Sequence, residues 1–501
     1  MSSEEPLLLG IDVGTGSIRA ALIDLDGRVR SFRACPHRPD HPAPGCSEGD
    51  PEGWWKSVAA VVRAALSASR INPRAIAGIS VCGQMHAAVP IDGDGRVIVD
   101  RVPLWNDRRA ATVVEAFAAD PAAAAVSQDV ANPPTAAWLA FKIAWLRRNL
   151  PEVYERATTF LAPKDFINYR LTGVRATDLS EASGSYLLTA RALRYDPDIA
   201  GRLDIDLCKL PGIRASGEVI GAVSGKAAEE TGLKPGTPVV AGGGDFLVSL
   251  LGSGITASGV GSDVTGTSNT IAVLADDPVL HAGVMNLHAA GDGWAPFAAV
   301  DCAGDGLRWA ASLLDGGRRS FGEIDAVAAG CRAGSDGLLF LPHLGGDRFG
   351  GGGDLRAMFF GLSERHGKAH LYRAVMEGVA FAARCNIALL HAAGCRFGQV
   401  VLAGGGANGG TWRRIKADVY GLPVIVPEVT ETGLIGNAIL AAAGVGLCGS
   451  VAAAASRMVR VGAIVEPDPW AHDRYRQIAS VFETVLDANR NGPGRFPCAG
   501  I

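Results

Sequence analysis

The sequence predicts an α/β chain built as two related lobes that face each other across a cleft, and three stretches carry that reading. In the first, residues 7–13 (Leu-Leu-Leu-Gly-Ile-Asp-Val) and 18–24 (Ile-Arg-Ala-Ala-Leu-Ile-Asp) are apolar runs flanking the small-residue turn Gly14-Thr15-Gly16-Ser17. Asp26-Gly27 closes another turn before Arg28-Val29, so the segment reads as a β-meander with an acid, Asp12, at the end of its first strand. The second stretch, residues 261–274, repeats the design. Asp263-Val264 aligns with Asp12-Val13, and the turn Gly266-Thr267-Ser268 follows with an offset of one residue. The third is Ala403-Gly404-Gly405-Gly406-Ala407-Asn408, which follows the apolar run Gln399-Val400-Val401-Leu402 and precedes a helical pattern from Thr411 to Tyr420.

Backbone amides in a Gly/Thr/Ser turn converge on a phosphate because no side chain blocks the approach. Asp12 beside them suits a hydrated Mg²⁺, which keeps several waters and takes only one or two carboxylates. Other phosphate motifs fit less well. A Rossmann loop leads into a helix, whereas residues 18–23 read as a β run; Gly225-Lys226 and Gly367-Lys368 are each followed by Ala, so no Walker A loop occurs. One hairpin alone is equally an ordinary glycine turn. Two copies about 250 residues apart imply two domains facing one nucleotide. That is the logic of two ribonuclease H-like lobes, the actin-like ATPase fold, with the nucleotide cleft between them. The third glycine loop suits close approach to a flat base or ribose.

Composition bounds the rest. At 501 residues the chain has room for two to four domains of about 150 residues each. Hydrophobic residues make up 48% and charged residues 20%, which supports large cores and excludes a disordered chain. The net charge is −4 with Lys and Arg scattered, so no basic patch argues for nucleic acid. Ten cysteines with no C-x-x-C pair fit reduced thiols rather than a disulfide framework or a zinc site. The acidic start Met1-Ser2-Ser3-Glu4-Glu5 is unlike a signal peptide, and no apolar run approaches the roughly 20 residues that span a bilayer. A cytoplasmic protein without a membrane partner is expected.

In chain order, residues 35–51 read as a surface loop, and Asp50 is placed to cap a helix starting at Pro51-Glu52 with Trp54, Trp55, Val58, Val62 and Leu66 on one face. Residues 75–81 read as a buried strand ending in Cys82-Gly83-Gln84-Met85-His86-Ala87. Leu104-Trp105-Asn106-Asp107-Arg108-Arg109 delivers a polar cluster, residues 135–150 look helical, and residues 164–173 form a short helix with a glycine stop. Ala241-Gly242-Gly243-Gly244-Asp245 follows the strand Val239-Val240 and marks the crossover that divides 1–245 from 246–501. Residues 366–392 form a long helix, and residues 432–443 a small-residue helix suited to close packing.

With these segments assembled, the chain resembles the FGGY family of carbohydrate kinases, its xylulokinase branch most closely. The matching pieces include residues 10–15, Gly83-Gln84-Met85-His86, Leu104-Trp105-Asn106-Asp107, Lys164-Asp165 and Ala176-Thr177-Asp178-x-Ser180-x-Ala182-Ser183-Gly184. Further on come Gly242-Gly243-Gly244-Asp245, Gly266-Thr267-Ser268, Glu377-Gly378-Val379-Ala380-Phe381 and Gly404-Gly405-Gly406-Ala407, all in family order. The resemblance implies phosphorylation of a sugar or polyol hydroxyl with ATP and Mg²⁺, the first lobe on the sugar side and the second on the nucleotide side. It makes Asp245 the general base and Asp12 the acid near the phosphates and metal. Met85 and His86 match a pair that faces the pentulose, with Asp107 and Phe246 as further sugar-side positions. Thr15, Gly16, Ser17, Arg19, Gly266, Thr267 and Ser268 fall at the phosphate loops, and Gly404, Gly405, Gly406 and Asn408 near the nucleoside. The expected partner is a small-molecule sugar, with a homodimer left open.

Each site has a plainer reading beside it. Asp245 after three glycines can cap a helix, Asp12 can brace a turn, His86 can be structural, and Asp107 can pair with Arg108 or Arg109. The chain also departs from the family pattern. Phe246 stands where a polar residue is usual, Ala87 replaces Gly, the helix around Lys142 lacks a preceding Ala-Pro, and residues 345–350 (Gly-Gly-Asp-Arg-Phe-Gly) replace a Gly-Glu-Arg-Thr-Pro-like loop. These departures bear on which sugar fits. D-Xylulose to D-xylulose 5-phosphate is the expected reaction; another ketose or a polyol (ribulose, erythritol, glycerol-like) and an actin-like ATPase without sugar chemistry are the alternatives.

Overall fold

The computed structural model describes residues 5–69, 71–346 and 355–491. Met1-Ser2-Ser3-Glu4, Cys498 and the Asp347-Arg348-Phe349-Gly350 part of the departing loop lie outside the described residues. The first lobe opens with β1 (Leu7–Val13), β2 (Ser17–Asp24), β3 (Val29–Pro36), α1 (Pro51–Ser69) and β4 (Ile76–Gly83). It continues through α2 (Pro163–Thr172) and α3 (Leu179–Ser183) to β5 (Val219–Ala222) and β6 (Pro238–Val240), and α4 (Asp245–Gly252) leads out of it. The second lobe contains β7 (Gly261–Thr265), β8 (Asn269–Val273), β9 (Met285–His288), β10 (Trp294–Val300), α5 (Gly304–Asp315) and α6 (Lys368–Ala392). β11 (Val400–Ala403), α7 (Gly410–Tyr420), β12 (Val424–Pro427), α8 (Thr432–Gly444) and β13 (Val461–Val465) follow.

The two sheets share a plan. Their strand orders are β5-β6-β4-β1-β2-β3 and β9-β10-β8-β7-β11-β12-β13. In each, the central hairpin is antiparallel and its first strand pairs in parallel with a later strand: β1 with β4, and β7 with β11. The duplicated hairpins seen in the sequence are therefore the centres of two α/β lobes of the expected kind.

Alternation along β1 sorts its side chains to two cores. Leu9, Ile11 and Val13 pack with Ile18, Ala20 and Leu22 against Trp54, Trp55 and Val58 of α1. Asp50 Oδ1 accepts the Gly53 N–H at 2.9 Å, so α1 begins where its cap predicted. Leu8, Ala21 and Ile23 point the other way, into a core shared with α4 and α8. Although α8 lies late in the chain, it packs on the first sheet: Asn437 Nδ2 donates to Ile11 O at 2.9 Å and Ser80 Oγ donates to Asn437 Oδ1 at 2.8 Å. Its small residues make that approach feasible, since a Cβ on Gly436 would overlap Val248 O of α4.

Two expectations shift. The helix read over residues 135–150 begins only at Leu139, because Trp138 is extended (ψ 144°) and donates its Nε1–H to Pro133 O at 2.8 Å. α6 is long and apolar enough by length and composition to cross a bilayer, contrary to the reading that no stretch qualifies. It is the core helix of the second lobe, with Tyr372, Val375, Val379 and Phe381 buried and Arg373 paired to Glu377 at 2.7 Å. The nine cysteines among the described residues are all free thiols.

Candidate active site

The hairpin β1–β2 brings Asp12 opposite Arg19, and the turn between them opens onto a cleft of about 430 Å³. Arg19 Nη1 lies 3.5 Å from Asp12 Oδ2 and 2.7 Å from Glu431 Oε2, just ahead of α8, while its Nε donates to Ser17 Oγ at 2.9 Å. Asp12 Oδ1 is buried and has no hydrogen-bond partner. Burial raises the Asp12 pKa, and Arg19 works against that rise. A carboxylate oxygen left free beside an open turn suits a hard cation that keeps its waters and phosphate ligands. Among the described residues no cluster of three or more His, Cys, Asp or Glu forms an all-protein metal cage.

Asp245 enters the same cleft from β4's far side. Gly243 and Gly244 pair with Cys82 and Gly83 at the end of β4, and Asp245 is the first residue of α4. The preceding turn needs glycine: Gly242 has φ 70°, and a Cβ there would overlap Val81 O. Asp245 Oδ1 accepts the Phe246 N–H at 2.7 Å, but Gly244 holds the N-cap position and no side chain caps this helix, so the capping reading of Asp245 does not hold. Its environment is that of a perturbed acid. Burial and then the nearby Asp12 charge push its carboxyl up to about 7. Such a group holds or releases a proton near neutral pH.

The opposite wall comes from the end of β4 and from the second lobe. Gln84, Met85 and His86 line the cleft together with Trp105 and Trp138, and Phe246 lines it beside Phe297, their ring centroids 5.3 Å apart. Thr15 Oγ1 donates to Gln84 Oε1 at 3.2 Å and accepts from Trp105 Nε1 at 3.1 Å, tying the turn to this wall. The Gln84 amide nitrogen is buried with no hydrogen-bond partner. His86 stacks edge-on to Trp138 at 5.0 Å, and burial followed by the Lys142 cation pushes its imidazole down to about 3. It is therefore neutral at physiological pH. Gln84, Trp138 and Phe297 were missed as site residues. Gln84 stood inside a motif already singled out, whereas Trp138 and Phe297 carry no local signal.

The remaining candidates sort cleanly. Gly266, Thr267 and Ser268 line the cleft opposite Gly14, Thr15 and Gly16, so the two turns face one space. Gly404 and Gly406 pack against Thr265 at the root of that second turn, and neither they, Gly405 nor Asn408 lines the cleft. Ser17 stands back from it as the partner of Arg19. Asp107 takes its structural reading. Arg109 Nε and Nη2 donate to its two carboxylate oxygens at 2.9 Å each, the Ser47 N–H adds a 2.7 Å bond, and the carboxylate is fully enclosed outside the cleft.

Comparison with known proteins agrees with the two-lobe fold. The N-terminal domain model of the FGGY family of carbohydrate kinases matches residues 7–252 and the C-terminal domain model residues 261–445. A xylulose kinase of Staphylococcus epidermidis is 29% identical over 492 residues, covering 96% of each chain. An L-xylulose/3-keto-L-gulonate kinase of Escherichia coli is 29% identical over 491 residues, again covering 96% of each. The crystal structure of xylulose kinase from Rhodospirillum rubrum superposes with a TM-score of 0.86 at 29% identity, covering 96% of this chain and 98% of that one.

Proposed function

Because this chain belongs to the FGGY family of carbohydrate kinases and is an ATP-dependent sugar kinase, we propose that it transfers the γ-phosphoryl group of ATP to D-xylulose, giving D-xylulose 5-phosphate, with Asp245 as general base. The observation that carries the mechanism is Asp245, half-buried at a helix start in a cleft that it lines together with two glycine turns. Asp245 accepts the proton of the attacking hydroxyl as the new oxygen–phosphorus bond forms and ADP leaves. The amides of residues 14–16 and 266–268 receive the phosphates, and Arg19 adds positive charge at the first turn. Asp12 fits the role of holding Mg²⁺ through its free Oδ1; bound there, the cation neutralises charge on the phosphate oxygens. Neutral His86, Gln84 and Met85 face the sugar, and Trp105 and Trp138 exclude water around it.

D-Xylulose is supported by the Met85-His86 pair and by relatives of that activity. A second reading, another ketose, is favoured by Phe246: its ring lines the cleft where a polar side chain is the family habit. One experiment tests both levels. ADP release is measured for wild type and Asp245→Asn over D-xylulose, L-xylulose, ribulose, erythritol and glycerol. We expect D-xylulose to give the highest kcat/KM and Asp245→Asn to lower kcat by about 10²–10⁴-fold. A different preferred ketose replaces the substrate assignment, and near-wild-type turnover by Asp245→Asn removes the base.

A further inference from the structure

Behind the cleft lies a buried charged network for which phosphoryl transfer has no direct use. Lys164 of α2 is wholly enclosed; its Nζ lies 3.0 Å from Asp178 Oδ1, pairs with Asp165, and donates to Ala241 O at 3.3 Å. Asp178 Oδ2 accepts from Ser180 Oγ at 2.6 Å and from Ser216 Oγ at 2.7 Å. Burial opposes the Lys164 charge, but Asp165, Asp178 and Glu181 outweigh it and keep the ammonium protonated. Buried ion clusters are weak sources of stability, so their value lies in what they orient.

Two arms lead from α3 into the site. Ser180 Oγ accepts the N–H of Gly244, the residue before Asp245, at 2.9 Å. Glu181 Oε1 accepts the N–H of His86 at 2.9 Å. His86 has φ 68°, a left-handed conformation that a histidine keeps only where its surroundings hold it. Gly184, just past the same helix, backs the imidazole so closely that a Cβ there would overlap the ring. Met85 completes the contact between the arms, because a Cβ on Gly244 would lie 2.5 Å from its Sδ.

We propose that α3 is the positioning element of this site, Ser180 fixing the Gly244 amide and so Asp245, and Glu181 fixing His86. The helix registers the base against the sugar-facing wall, and Lys164 with Asp178 holds the helix in place. The proposal rests on Asp245 as base and His86 as a sugar contact, so its variants are measured beside Asp245→Asn.

Ser180→Ala removes the acceptor of the Gly244 amide. It should lower kcat about tenfold to a hundredfold while leaving the KM for sugar and ATP within about twofold. Glu181→Ala releases His86, and should raise the sugar KM about tenfold without moving the ATP KM. Glu181→Gln keeps the Oε1 acceptor and should return the sugar KM to the wild-type value. Gly184→Ala should reproduce the rise in sugar KM without altering any charge. Thermal melting followed by circular dichroism confirms that each variant is folded. The proposal is overturned if folded Ser180→Ala and Glu181→Ala keep wild-type constants, or if Glu181→Gln loses as much as Glu181→Ala. An inactive Asp245→Asn beside a normal Ser180→Ala refutes the positioning role alone; an active Asp245→Asn refutes the base and the Ser180 arm with it.

Discussion

The two central hairpins carry an acid at the same place and use it in opposite ways. Asp12 of β1 faces the cleft with one oxygen free and a half-exposed arginine 3.5 Å from the other. Asp263 of β7 is fully enclosed, and Lys416 (2.7 Å), Tyr420 (2.6 Å), Thr265 (2.6 Å) and Asn269 (2.6 Å) all converge on its carboxylate. Identical strand position does not make an acid chemical. What separates them is the neighbour: α7 sends Lys416 and Tyr420 under β7, while the cation beside Asp12 is Arg19 of its own hairpin, at 3.5 Å. The second acid is locked inside its lobe, and the first keeps one oxygen free beside the cleft.

The largest expected effects come from removing each acid. Asp12→Ala should lower kcat about 10²-fold, because an electrostatic contact made in the transition state is lost, and should raise the Mg²⁺ requirement. At neutral pH its melting temperature should not fall. Asp263→Ala should do the reverse: it strands Lys416 as a buried unpaired charge and costs about 3–5 kcal/mol of stability, while each molecule that remains folded keeps its kcat. Steady-state kinetics and chemical denaturation on the two variants break the comparison if both lose activity or both lose stability.

A pH series sharpens it. Asp245 has its pKa raised from 3.8 to about 7, and Asp12 is raised as well, in both cases chiefly by burial. A raised carboxyl favours the fold below its unfolded pKa and loses that contribution as pH climbs through the folded value. Asp245→Asn, which never ionises, should therefore melt higher than wild type at pH 8, with the gain opening between about pH 4 and 7 and absent below. Asp12→Asn should follow in the same direction, and Asp263→Asn should melt lower than wild type at neutral pH. An Asp245→Asn melting curve indistinguishable from wild type across that range contradicts the burial of the charge.

The smallest effect concerns the turns. A Cβ on Gly266 meets nothing within 4 Å, whereas one on Gly14 meets Ser17 O at 3.2 Å. Gly266→Ala should leave melting unchanged and raise the KM for ATP about three- to tenfold by crowding the approach to the backbone amides. Gly14→Ala should add a small loss of stability to a similar KM change. An unchanged ATP KM in both would remove the phosphates from these turns.

Much of this was legible in the residue string, for a physical reason. The hairpins, the glycine crossover and the capped helices are set by neighbours a few positions apart, and such features leave a local imprint. The pairing of Asp107 with Arg109 was equally local, and was one of two readings open from the sequence. What the string hid is long-range. Nothing near Asp263 announces Lys416, nothing near Gly244 announces Ser180, and nothing near Phe246 announces Phe297 as its companion in the cleft wall. The two-lobe division at residue 245 likewise cannot foresee that α8 returns to the first sheet.

That return has a consequence for how the chain is made. Asn437 fills the hydrogen-bonding needs of Ile11 and Ser80, partners separated from it by 426 and 357 positions. A ribosome releases the chain from the N-terminus, so β1, β2 and β4 emerge long before the helix that covers their inner face. Until residue 444 has left the exit tunnel, Leu8, Ala21 and Ile23 have no complete core to enter. The nascent first lobe thus presents apolar surface throughout most of translation, the interval in which folding intermediates are most prone to aggregate and chaperones most useful. The late helix is the step that ends that exposure, and closing so long a loop makes it an intrinsically slow one.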